Sequence, residues 1–200
     1  VYTIATLVAV FTLRKIKNGC STLTPLVSVV IAARNERNTI GTCLMALADQ
    51  DYRSDMFEII ISDDRSEDGT SDVIDRFGIV LKNLKHIKIT DVPHGISPKK
   101  NALSKAIDSA KGDIILQTDA DCIPASTWIS GMVSRFENGV DMVAGIAPYI
   151  PDKGLLNSFV RHEYLWNAAL SASSITFGHG SHASGRNLAF KRAVFEQIGG

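Results

Sequence analysis

Two aspartates separated by one small residue, Asp119-Ala120-Asp121, close the apolar run Ile114-Ile115-Leu116-Gln117-Thr118. Carboxylates at i and i+2 repel each other and resist desolvation. A buried strand end carries both comfortably when a divalent cation or ligand donors sit between them. Such a pair holds Mg2+ or Mn2+ through one or two oxygens and leaves the other positions to water and phosphate. A metal so placed neutralises charge building on a diphosphate leaving group. The plainer alternative is a capped turn ahead of Pro124.

A second acidic cluster, Asp63-Asp64-Arg65-Ser66-Glu67-Asp68-Gly69-Thr70, follows another apolar run. Short acidic side chains at a strand end accept hydrogen bonds from a base N–H or from ribose hydroxyls. Ser66, Asp68 and Thr70 are ordinary turn and cap residues; the adjacent Asp63 and Asp64 are harder to assign to a turn. Lys99 and Lys100 fall in the first turn of a predicted helix, where the dipole disfavours a cation by ~0.3–1 kcal/mol. A nearby anion reverses that sign, and a helix N-terminus with lysine suits phosphate. Two solvated surface lysines are the alternative. His179 and His182 lie in a glycine-rich stretch that matches no strong zinc spacing, which suggests a loop near an acceptor or a plain surface loop. Trp128 and Trp166 read as core first and as sugar platforms second.

The elements that must position these residues follow from periodicity. Residues 26–33 (LVSVVIAA) form a nearly continuous apolar run, suited to a strand buried on both faces of a parallel sheet. A helix follows, with Ile40, Cys43, Leu44 and Leu47 at i, i+3, i+4 and i+7. Residues 57–62 and 86–90 read as strands, and a helix starts near Thr70. Ser97-Pro98 reads as an N-cap with proline at the first helical position, opening a helix whose apolar face is Leu103, Ala106, Ile107 and Ala110. Strands at 113–118, 141–150 and 187–190 and helices at 128–136, 155–174 and 192–198 complete the pattern. Alternation of this kind implies an α/β, Rossmann-like, mostly parallel sheet flanked by helices. Ligands bind beyond the carboxyl ends of such strands, where both acidic clusters fall.

Composition is that of a globular protein, 45% hydrophobic and 21% charged. Two hundred residues fit one domain with an appendage. The formal net charge of zero leaves no global field to recruit nucleic acid. Cys20, Cys43 and Cys122 are not spaced as a zinc site and suggest free thiols in a reducing compartment. Residues 1–13 carry no charge, and Arg14, Lys15 and Lys17 follow. Residues 1–17 therefore read as a partial transmembrane helix with its basic flank in the cytoplasm. Residues 18–25 read as a linker and 26–200 as the folded domain, with the chain truncated at both ends. A run of that length spans only about 20 Å, short of a bilayer core, and an ordinary buried helix is the alternative. A signal peptide would place its charges first.

Four stretches in order, VSVVIAARNE (27–36), ISDDRSEDGT (61–70), SPKKNALSKAIDSAKGDIILQTDADC (97–122) and SGRNLAFKRAVFEQIGG (184–200), resemble family 2 glycosyltransferases of the GT-A fold, of membrane-associated bacterial type. The resemblance implies a hexosyltransferase-like enzyme (EC 2.4) of cell-envelope or polysaccharide synthesis. Its donor would be a nucleotide-diphospho-sugar, commonly UDP-linked, and its acceptor a lipid or glycan. It places Ala32, Asn35 and Glu36 beside the nucleotide, and Asp63 or Asp64 at the base and ribose. Lys99 or Lys100 would approach the phosphates. Asp119, with Ala120 beside it, would face ribose or metal, and Asp121 would bind Mg2+ or Mn2+. Such enzymes look like inverting transferases in which a carboxylate base takes the acceptor proton. The family's base is expected downstream of Gly200, so the catalytic residue is left unassigned, and a catalytically silent sugar-nucleotide-binding module of a membrane assembly is the non-enzyme alternative. A nucleotidyltransferase would show a Gly-rich signature after the first strand, where Ala32-Ala33-Arg34-Asn35-Glu36 stands. A haloacid dehalogenase-type phosphatase would need Thr at Ile123 and its pair after the first strand. A dinucleotide-binding oxidoreductase would need Gly-x-Gly-x-x-Gly, which is missing there.

Overall fold

The computed structural model describes residues 2–14, 19, 21–137, 139–180 and 183–199. The chain forms two compact units. One comprises residues 19–143 with 185–200, and the other residues 1–18 with 144–184.

The larger unit is built on β1 (Val27–Ala33), β2 (Phe57–Asp64), β3 (Leu84–Ile89) and β4 (Ile114–Asp119), with β5 (Met142–Ala144) and β6 (Leu188–Lys191) completing the sheet. The strand order is β3-β2-β1-β4-β6-β5. β1 runs parallel to β2 and β4, and β2 parallel to β3, whereas β6 pairs antiparallel with β4. Among the described residues this is a mostly parallel sheet with helices α2 (Ile40–Ala48), α3 (Thr70–Val80), α4 (Pro98–Asp108), α5 (Trp128–Val133) and α7 (Arg192–Gln197) around it.

Because strands are covered on both faces, alternate residues of one strand serve two cores. Val27, Val29 and Ile31 join Ile59, Ile61 and Leu116 against Ile40, Cys43, Leu44 and Leu47 of α2 and Ile74 of α3. Val30, Ile60 and Ile115 pack instead against Ala106, Ile107 and Ala110 from and after α4. The helical positions picked out by the i, i+3, i+4, i+7 spacing in α2 are all buried.

Two elements are shorter than the sequence suggests. The strand expected at 141–150 is confined to Met142–Ala144; Pro148, inside the expected span, has no N–H to give a ladder. The helix expected at 128–136 ends at Val133. The N–H groups of Arg135 and Phe136 then bond three residues back, to Met132 and Val133, tightening the last turn.

The smaller unit pairs α1 (Tyr2–Leu13) with α6 (Leu155–Thr176). The hydroxyls of Thr12 and Ser173, both buried, lie 2.8 Å apart. Among the described residues no helix is long and apolar enough to cross a membrane. Lys15, Lys17, Cys20 and His182 lie outside the described residues.

Candidate functional site

Alternation along the strands decides which acidic residues meet. In the parallel register Ala32 aligns with Ser62 on one side and Asp119 on the other. These residues share the face of Val30 and Ile60, which α4 covers. Asp64 and Asp119 therefore emerge at the strand ends on the α4 side. There Ala32, Ala33, Arg34, Glu36, Asp64, Ser97, Pro98, Lys99, Ala102, Asp119, Ala120 and Asp121 line an open cleft of about 390 Å³.

Asp63 goes the other way. Its carboxylate accepts the hydroxyl of Ser71 on α3 and, at 3.2 Å, the N–H of Ser66. The His86 ring stands 3.7 Å away. Asp63 thus ties the β2–α3 turn to α3 and does not line the cleft. Asp64 is buried with Arg65 Nε at 2.8 Å and an Arg34 nitrogen at 3.7 Å. Arg65 (φ 54°) and Asn35 (φ 56°) both adopt the left-handed region, which is uncommon outside glycine and concentrates at ligand sites.

The turn residues do more than end strands. The N–H of Asn35 donates to Ser66 Oγ at 2.9 Å, that of Glu36 to Thr70 Oγ1 at 2.8 Å, and that of Arg37 to Asp68 Oδ2 at 3.0 Å. Asn35 Oδ1 accepts the Glu67 N–H at 2.9 Å. The loop after β1 is thereby zipped to the loop after β2, about thirty residues downstream. Asn35 serves this zipper and does not line the cleft. The Thr70 hydroxyl, followed by the N–H groups of Arg37 and Thr70, holds the Asp68 carboxyl below its usual range.

Lys99 and Lys100 separate in the same manner. Lys99 Nζ sits 2.8 Å from Asp119 Oδ1 and lines the cleft, whereas Lys100 does not. Ser97 is extended and its side chain makes no capping bond to α4, so the expected N-cap is a backbone feature only. The first-turn N–H groups of a helix without a side-chain cap are ready to meet an anion.

The cleft presents four carboxylates (Glu36, Asp64, Asp119, Asp121) against two cations (Arg34, Lys99). A diphosphate entering it would meet net negative charge unless a cation accompanied it. Among the described residues no three His, Cys, Asp or Glu side chains gather to hold a metal by themselves. Two aspartates supplying hard oxygens, with phosphate and water to complete the shell, suit Mg2+ or Mn2+ rather than zinc. The nearby thiols of Cys43 and Cys122 do not line the cleft. Burial pushes the Cys43 thiol up to about 12, and burial also raises that of Cys122; both are free cysteines.

Sequence reasoning missed Arg34, Arg65 and Ala102, whose places come from the turn geometry and from α4. Trp128 is half-buried against the core, its Nε1 donating to Asn187 at 2.9 Å. Trp166 lies on α6, and His179 is exposed just beyond that helix.

The sequence model of glycosyl transferase family 2 matches residues 28–199. The chain is 34% identical over 122 residues to glycosyltransferase AglE of Haloferax volcanii, covering 60% of this chain and 39% of that protein. It is 29% identical over 150 residues to the glucosyl-dolichyl phosphate glucuronosyltransferase of the same organism, covering 72% and 45%. Among solved structures, the mannosyltransferase PcManGT from Pyrobaculum calidifontis, in complex with GDP-Man and Mn2+, superposes with a TM-score of 0.77 at 24% identity, covering 100% of this chain and 55% of that one. The sheet and its helices have the GT-A architecture. The chain spans less than half the length of these two curated relatives.

Proposed function

Because this chain belongs to glycosyl transferase family 2, we propose that it moves a sugar from a nucleotide-diphospho-sugar, UDP-linked, to an acceptor hydroxyl, with inversion and with Mg2+ or Mn2+ bound. The observation that carries this reading is the cleft beyond β1, β2 and β4, where four carboxylates face two cations. A divalent cation offsets the excess negative charge of such a wall and bridges it to a diphosphate that the carboxylates alone would repel.

Asp64, with Ala32, Ala33 and Glu36, would meet the nucleoside. Asp63 and Asn35 would act behind them by fixing the two loops. Lys99 would contact the diphosphate, and Asp119 would sit between ribose and metal. Asp121, with Asp119, would hold the metal, which when bound neutralises the leaving diphosphate. PcManGT with its GDP-Man and Mn2+ supports a donor of this class. The glucosyl-dolichyl phosphate substrate in the second relative's name supports a lipid-borne acceptor, with a glycan end as the other candidate. Membrane attachment through residues 1–17, with the catalytic unit on the cytoplasmic side, follows from the uncharged start and its basic flank.

The test is Asp121→Asn, with UDP and GDP titrated calorimetrically with and without Mn2+. The metal-dependent part of the binding disappears in the variant, and release of nucleoside diphosphate from donor in the presence of acceptor falls with it. Unchanged metal-dependent binding would remove Asp121 from the site.

A further inference from the structure

The carboxylate that closes β2 is held from outside the cleft that it lines. The Asp64 side chain is only 4% exposed. Arg65 forks onto it, with Nε donating to Oδ1 at 2.8 Å and Nη2 reaching Oδ2 at 3.4 Å. Asp64 lines the cleft and Arg65 does not, so the two side chains meet behind the wall. Arg34 comes from the cleft side, where its Nη1 stands 3.7 Å from Oδ2, too far for a hydrogen bond.

Successive residues of a strand point to opposite faces, so neighbours in a strand do not form such a fork. Here the chain turns. The Arg65 N–H returns to Asp63 O at 3.1 Å, and Arg65 takes φ 54°. A residue other than glycine adopts that conformation at a cost, and in this turn it brings the guanidinium back to its neighbour's carboxylate. Ser66 and Glu67, the next two residues, are bonded to Asn35, so the turn is fixed on both sides of Arg65. The hydrogen bond to Asp64 holds the Arg65 guanidinium above its ordinary range, and Asp91, just past β3, adds a smaller pull.

The fork decides what Asp64 offers to a ligand. An ionised carboxylate accepts about four hydrogen bonds and donates none. The fork uses one site on each oxygen, and the others are left for the cleft. Removing the partner of a buried charge leaves that charge uncompensated. A bidentate guanidinium compensates it and also fixes the plane of the carboxylate, which the point charge of a lysine does not.

We infer that Arg65 is a positioning residue for nucleoside recognition: by forking Asp64 from outside the cleft, it aims the free lone pairs of that carboxylate at an N–H or O–H donor of the nucleoside. The inference rests on the nucleotide-sugar reading above and adds the residue through which Asp64 is aimed. The test is a double-mutant cycle of Arg65→Met and Asp64→Asn, with UDP and pyrophosphate titrated calorimetrically at fixed Mn2+. Arg65→Met weakens UDP by about tenfold and leaves pyrophosphate unchanged. On the Asp64→Asn background it weakens UDP no further. Arg65→Lys keeps the cation without the fork and carries the same test should the unmatched Asp64 charge unfold Arg65→Met; it too weakens UDP and spares pyrophosphate. Ribose 5-diphosphate separates the two sources of the donor. It weakens along with UDP if a ribose hydroxyl meets Asp64 and is unchanged if a base N–H does. Unchanged UDP binding in Arg65→Met, equal losses for UDP and pyrophosphate, additive losses in the double variant, or parent-like UDP binding in Arg65→Lys would each overturn the inference. If the parent itself binds neither UDP nor GDP with Mn2+, the nucleotide-sugar reading falls instead.

Discussion

Replacing Lys99 by Met tests the electrostatics of the cleft most directly. In the ligand-free protein Lys99 Nζ lies 2.8 Å from Asp119 Oδ1, with the lysine side chain 58% exposed and the aspartate 23%. A pair so solvated is screened and contributes only ~0–1 kcal/mol, so the melting temperature barely moves. With diphosphate in the cleft the same ammonium would form a charge-assisted hydrogen bond shielded from bulk water, worth about 1.5–3 kcal/mol. Lys99→Met is therefore expected to weaken nucleoside diphosphate by roughly ten- to hundredfold and to leave the nucleoside unchanged. Lys100→Met, one residue further around the helix and outside the cleft, is expected to change neither. The assay is calorimetry with UDP and uridine at fixed Mn2+ and fixed ionic strength, since salt screens the effect. Equal losses for UDP and uridine, or a loss from Lys100→Met as large as that from Lys99→Met, would refute the reasoning.

Two further expectations concern the scaffold. Thr70→Ala leaves the Glu36 N–H without its 2.8 Å acceptor and lowers stability by about 1–3 kcal/mol in urea melts, whereas Thr70→Ser retains most of it. The zipper also depends on acid. The folded Asp68 carboxyl is held below its unfolded value, chiefly by the Thr70 hydroxyl. Its contribution is complete above about pH 4 and is lost as pH falls through the folded value, so Asp68→Asn flattens the acid limb of a stability–pH curve. A Cβ at Gly112 would stand 2.5 Å from Ser28 N and 2.7 Å from Val27 C, both backbone of the central strand. Gly112→Ala costs about 1–3 kcal/mol or more. Gly131, in α5 with open space around it, gains ~0.5–1 kcal/mol on the same change, and thermal melts of the two variants compare them.

Much of this protein is legible in one dimension. The apolar run at β1, the buried quartet of α2, the proline that opens α4 and the acidic strand ends all follow from local chemistry: burial on two faces, helical period, a missing N–H, carboxylates needing partners. What the linear pattern does not contain is which face is which. A strand apolar on both sides carries no polarity to tell Asp63 from Asp64, and only the placement of α3 and α4 sends one into a turn and the other into the cleft. Adjacent lysines on a helix look alike in sequence, but roughly 100° of rotation separates Lys99, paired with Asp119, from Lys100. Ser66, Asp68 and Thr70 are turn residues by composition, and they become the clasp for residues 35–37 only because β1 and β2 lie side by side in register. Residue type is a local property of the chain, whereas facing and adjacency arise from packing, where contacts between distant segments choose among arrangements that local chemistry leaves equivalent.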